Sequence, residues 1–185
     1  MRKITVASVA FCLLSGFAMC VAQEFPEMPG PEKEHEMLQQ LAGEWEASAD
    51  VSMGPGTPTM KFTATENYRK IGPFWIVGES TGTVGEMPVE SMLTLGYDLS
   101  KNKIVGSWVD SVQTYQWVYE GNFDETGKVL TLETKGPCPM KPGTLSNFKE
   151  VIEFKDKDHK VFTSSMQQED GTWMEIMSVE SKRKK

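Results

Sequence analysis

The sixteen residues MLQQLAGEWEASADVS, Met37 to Ser52, contain the change of period that decides the fold. Met37, Leu38 and Leu41 recur at helical spacing, Gly43 can end a helix, and from Trp45 onward the period becomes 2. A short amphipathic helix over Glu32–Leu41, with Pro31 where a first-turn proline belongs, therefore hands over to a strand.

Downstream of this switch, strand-favouring runs alternate with turn signals to the C-terminus. Ten runs are expected: about Trp45–Ser52, Met60–Ile71, Phe74–Thr83, Pro88–Asp98, Lys103–Asp110, Thr114–Asn122, Val129–Lys135, Leu145–Lys155, Lys160–Gln168 and Trp173–Ser181. Gly54-Pro55-Gly56, Ile71-Gly72-Pro73, Asp124-Glu125-Thr126-Gly127 and Glu169-Asp170-Gly171 supply turn chemistry between them. Sequential strands with short connections make an antiparallel meander, and a meander this long removes its two edges by closing. The expected fold is all-β, an antiparallel up-and-down β-barrel of about ten strands preceded by one short helix, with a β-sandwich as the alternative.

Upstream, Arg2 and Lys3 precede an uncharged apolar run that lasts until Glu24. That is the organisation of a secretory signal peptide, too short for a flanked transmembrane helix, with cleavage expected after Ala22. The chain then divides into a signal peptide, 1–22, a Pro-rich lead-in, 23–31, and a single barrel domain, 32–185. A lipid anchor at Cys20 is not expected, because Met19 is bulky where acylation signals place a small residue. Localisation is expected to be secreted or periplasmic, with no membrane span in the mature chain.

Cleavage leaves 163 of the 185 residues and removes two basic and no acidic side chains, so the net charge passes from −7 to −9. Such acidity argues against a nucleic-acid partner. Cys12 and Cys20 leave with the signal peptide, and Cys138 remains as a free loop thiol that cannot form an internal disulfide.

Gly43-Glu44-Trp45, directly after a helix and opening the first strand, resembles the Gly-x-Trp signature of lipocalin-like barrels, in which the Trp packs across the closed end. A wider pattern adds His35, Leu38 and Leu41, then Gly96-Tyr97-Asp98, Trp108-Val109-Asp110-Ser111, Gly121-x-Phe123-Asp124 and the terminal Lys182-Arg183. Together these resemble a family of exported bacterial proteins known as a domain of unknown function, number fifteen seventy-nine, over residues 33 to 183. The resemblance implies fold and compartment, with Gly43, Trp45, Gly96, Tyr97 and Asp98 as structural positions. It implies no activity. Haem-holding barrels are a further analogy, but they need an inward histidine on a late strand, and His159 falls beside Lys157-Asp158 at a turn.

The stretch most suggestive of binding runs from Trp108 to Tyr119, where a turn near Val112 brings two aromatic-rich strands together. Period 2 puts Tyr115, Trp117 and Tyr119 on one face, and with Trp108 and Asp110 they form the candidate ligand-binding set. Their plainer role is cross-strand core packing, and for Asp110 a strand-end cap. Ser111 beside Asp110 lacks a base, so no catalytic residue is assigned. Glu79, Glu86, Glu90, Asp98 and Asp110 converging at one mouth would give a hydrolase or isomerase; otherwise they form a solvated rim. Two isolated histidines make no metal site, and no cofactor is expected. Methionines such as Met92, Met166, Met174 and Met177 suit either an adaptable lining or ordinary core use.

These observations lead to one expectation and two alternatives. The expectation is a non-enzymatic secreted barrel holding a small apolar or amphipathic ligand. The alternatives are a structural or interaction module of the cell envelope and a carboxylate-dependent enzyme.

Overall fold

A computed structural model describes residues 29–52 and 59–185. The expected signal peptide, most of the lead-in and the Gly54-Pro55-Gly56 turn lie outside the described residues. Residues Pro31–Lys185 form one compact unit.

The helix α1 spans Lys33–Leu38 and tightens into a 3-10 turn, Gln39–Leu41. Its start is set by Glu32, whose backbone N–H donates to His35 Nδ1 at 2.9 Å. This makes Glu32 the N-cap, so Pro31 precedes the helix instead of occupying its first turn. The helix buries His35, Leu38 and Leu41, and the edges of the Phe74 and Tyr97 rings meet His35 at centroid distances of 5.2 and 5.5 Å.

Ten strands follow: β1 Gly43–Ser52, β2 Thr59–Ile71, β3 Trp75–Val84, β4 Met87–Asp98, β5 Lys103–Asp110, β6 Trp117–Phe123, β7 Val129–Pro137, β8 Leu145–Asp156, β9 His159–Gln167 and β10 Trp173–Arg183. Each pairs antiparallel with its sequence neighbours, and β10 pairs with β1 from Trp45↔Arg183 to Ser48↔Glu180 to close the barrel. The β-sandwich alternative is not adopted.

Strand β6 begins at Trp117, three residues later than expected. The reason is local: Asp110 Oδ1 accepts from the backbone N–H of Val112 at 2.7 Å and of Gln113 at 2.6 Å, which turns 111–116 into a loop. Tight coiling is allowed by glycine. A Cβ at Gly106 or Gly121 would lie 1.9 Å from the carbonyl oxygen of Thr94 or Thr131, so neighbouring backbone occupies the space of a side chain.

Trp45 seals the end next to the helix. It is fully buried, its Nε1 donates to the Leu41 carbonyl at 2.8 Å, and the Arg183 guanidinium lies 4.0 Å from the ring centroid. Arg183 also donates to the carbonyls of Ala42, Gln40 and Lys157 at 2.6, 3.0 and 2.9 Å, tying β10 to the 3-10 turn. Gly43 makes this possible: its φ is +119°, and a Cβ there would stand 2.6 Å from Arg183 Nη1.

Candidate functional site

The barrel has two unlike ends. The helix and the β2–β3, β4–β5, β6–β7 and β8–β9 turns gather at one, while the β3–β4, β5–β6, β7–β8 and β9–β10 connections gather at the other, the mouth.

Strand alternation fixes which side chains face the lumen, and its two walls are unequally filled. Strands β6 to β9 send in Trp117, Tyr119, Leu130, Leu132, Phe148, Ile152, Phe154 and Met166, all buried. Strands β1 to β5 send in several small residues instead, among them Ala47, Ala49, Ala64, Gly78, Ser80 and Gly106. Inward-pointing Tyr68, Leu93, Trp108 and Phe162 are correspondingly only half-buried, as is Met174 near the mouth. The β1–β5 wall thus presents smaller side chains to the interior than the β6–β9 wall.

Two polar groups sit in this interior. Lys160, in the inward row Lys160, Phe162, Ser164 and Met166 of β9, reaches across to β2 and donates to Glu66 Oε2 at 2.6 Å. Its Nζ also donates to Ser181 Oγ at 3.1 Å and lies 5.1 and 5.3 Å from the ring centroids of Trp45 and Tyr68. Burial lowers the Lys160 pKa, and the Glu66 carboxylate partly offsets that. Burial, then the charge of Glu66, raises that of the Tyr68 phenol. Breaking a pair like this leaves an uncompensated buried charge.

The second group is Glu150, in the inward row Phe148, Glu150, Ile152 and Phe154 of β8. It is 5% exposed; Oε1 accepts from Ser164 Oγ at 3.0 Å, and Oε2 has no hydrogen-bond partner among the described residues. Burial pushes its pKa up to about 7, although the Ser164 bond pulls the other way. Burial and the nearby Glu150 carboxyl raise the Tyr119 phenol strongly. Trp117 Nε1 is likewise buried without a partner among the described residues.

The residues singled out from sequence occupy the following places. Trp108 and Trp117 pair across β5 and β6, and Tyr119 pairs with Gly106, so all three face inward. Tyr115 lies in the 111–116 loop with its ring 5.5 Å from Trp117, and its hydroxyl donates to the Lys135 carbonyl at 2.9 Å. Asp110 points toward the mouth, but its oxygens accept from Val112, Gln113 and the Gln113 side chain, so it acts as the strand-end cap. No hydrogen bond joins Asp110 to Tyr115 among the described residues. Nor do the five carboxylates converge: Asp98 ends β4 beside the helix, Asp110 ends β5 at the mouth, and Glu79 faces outward.

At the helix end, Gly96 lies under the Trp75 ring, Tyr97 packs on His35, and Asp98 Oδ1 accepts from the Ser100 N–H at 2.8 Å and its hydroxyl at 2.6 Å. Those bonds hold the Asp98 carboxyl below its usual range. His159 opens β9 beside the inward Lys160 and therefore faces outward. Cys138 is a free thiol in the loop after β7, and it is buried there, 3.9 Å from Met166 Sδ. Among the described residues no group of three or more His, Cys, Asp or Glu is placed to hold a metal ion, and no helix is long and apolar enough to cross a membrane.

Glu66, Lys160 and Glu150 were not among the sequence candidates. A signal existed for each: in Phe148, Glu150, Ile152, Phe154, in Lys160, Phe162, Ser164, Met166 and in Phe62, Ala64, Glu66, Tyr68, a charge falls on an apolar period-2 row. What no row shows is that Glu66 and Lys160, 94 positions apart, are partners.

Comparison with known proteins places this geometry. The model of a family described as a protein of unknown function, DUF1579, matches residues 30–183. Rv2717c from M. tuberculosis is similar in structure, with a TM-score of 0.59 at 14% identity, covering 84% of this chain and 100% of that one. The S-type phycobiliprotein lyase CPES from Guillardia theta has a TM-score of 0.52 at 16% identity, covering 84% and 99%. No curated protein matches the sequence. At these identities the likeness is one of fold.

Proposed function

The chain belongs to the DUF1579 family, and from that premise we propose that it is an exported, non-enzymatic carrier or sensor that holds a small apolar or amphipathic molecule in the lumen of its barrel. The unequal filling of the lumen carries this reading. Bulky side chains pack the β6–β9 half, whereas small ones on β1–β5 leave Leu93, Trp108 and Phe162 half-buried though they point inward. Half-buried aromatic and aliphatic groups facing each other across a lumen are apolar surface that a ligand covers favourably, at roughly 25 cal/mol per Å². Trp108 belongs to this lining, beside the packed Trp117 and Tyr119, and Asp110 ends β5 at its rim.

Native mass spectrometry of the protein purified from its own host tests the proposal. The expected spectrum shows the chain beginning at Gln23 with a retained extra mass of roughly a few hundred daltons, the scale of ligands that such cavities enclose. A spectrum of the bare polypeptide alone, under conditions that preserve the fold, would remove the support.

A second reading, an interaction module of the cell envelope, draws on the outer face. Met92 and Val109 pair across β4 and β5, Val118 lies diagonal to Val109, and the three point outward with 43%, 41% and 61% exposure.

A further inference from the structure

We propose that Glu66, held by Lys160, is the head-group site of the lumen, and that it selects an amphipathic molecule whose polar head donates a hydrogen bond, an ammonium or a hydroxyl, over one with a carboxylate head. This rests on the carrier reading above and adds to it the chemistry of the occupant.

The ion pair is asymmetric toward the lumen. The Lys160 side chain is 3% exposed, and its ammonium is engaged by Glu66, Ser181 and the faces of Trp45 and Tyr68. The Glu66 side chain points inward yet is 15% exposed; Oε2 takes the lysine, and Oε1 has no hydrogen-bond partner among the described residues. The group of this pair left free toward the interior is therefore the acceptor Oε1 of Glu66, and not the Lys160 ammonium. Ser80 stands directly opposite Glu66 on β3, in the same inward row. A head with an N–H or O–H completes the free valence of Oε1 with a charge-assisted bond, whereas a carboxylate would set a second anion beside it while Lys160 is already engaged.

The apolar wall gives the tail its direction. From Glu66 the inward row of β2 runs through Ala64 and Phe62 to Met60 near the mouth, a path of about 20 Å at the usual rise of a strand. Phe162 packs with Phe62 on the cluster of Ala47, Ala64 and Val179 beside it, so the head lies deep and the tail extends outward.

Titrations of the protein with dodecylamine, dodecanol and dodecanoate at neutral pH, read by intrinsic tryptophan fluorescence, test this. Dodecylamine is expected to bind most tightly and dodecanoate at least about tenfold more weakly, as loss of one charge-assisted bond implies. Glu66→Gln should lower dodecylamine affinity about tenfold and leave dodecanol within about threefold. Because that variant strands a buried lysine, the double variant Glu66→Gln, Lys160→Met is titrated alongside it, with the same loss expected. Dodecanoate binding as tightly as dodecylamine, or dodecylamine binding unchanged in the folded variants, overturns the head-group site and leaves the carrier reading intact. Failure of all three molecules to bind the wild-type protein overturns the carrier reading itself.

Discussion

Glu150 carries the clearest consequence at the scale of a single residue. Its carboxyl is surrounded by Phe148, Leu132 and Tyr119, with Ser164 as its one donor, and its pKa rises from the ordinary 4.5 to about 7. An acid whose pKa is higher in the folded state binds more protons there, so its contribution to stability is full below pH 4.5 and is lost as pH rises to about 7. The size of that loss is about 3 kcal/mol. Urea denaturation at intervals from pH 4.5 to 8 should show stability falling over this window, and Glu150→Gln should flatten the fall. Asp98, Asp124 and Asp170, held below their usual range by bonds to Ser100, Thr126 and Thr172, act at lower pH and leave the window clear. Glu150 was visible in sequence only as a charge in an apolar row. Nothing in such a row says whether the charge has a partner, because the partner is chosen by the neighbouring strands.

At the scale of an element, the joint between the 3-10 turn, β1 and β10 closes the barrel end. Three carbonyls receive the Arg183 guanidinium, the Trp45 ring lies against it, and Gly43 leaves it room. Arg183→Ala should cost about 2 to 3 kcal/mol, since the bonds are charge-assisted and the carbonyl of Ala42 is partly buried. Gly43→Ala should cost about 1 to 3 kcal/mol through its positive φ and its clash with the same guanidinium. Because both changes disturb one contact, the double variant should lose less than the sum of the two, which a double-mutant cycle measured by urea denaturation will reveal. The Gly43-x-Trp45 spacing was legible, being a local change of period. The start of β6 was not, because the Asp110 side chain competes with the ladder for the backbone of 111–116 and wins three residues.

At the scale of the whole molecule, closure is what the β1–β10 pairing supplies. Removing Trp173–Lys185 would leave β1 and β9 with unpaired edges along their length. The truncated chain should therefore be recovered as aggregate where the full domain elutes as a discrete species, measured by size exclusion with light scattering. The sequence by itself determined the class of the fold, the number of strands and nine of their ten starts to within two residues, because period 2 and turn residues act over short distances. It also marked Tyr115, Trp117 and Tyr119 as sharing a face, which Trp117 and Tyr119 do, while Tyr115 lies in the loop before β6. Only the tertiary structure decided which lumen wall presents the larger side chains and which the smaller, that Lys160 meets Glu66 across 94 positions, and that Asp98 and Asp110 stand at opposite ends. These depend on how ten tilted strands bring distant rows together, and pairing across a barrel leaves no mark on the local pattern of any one strand.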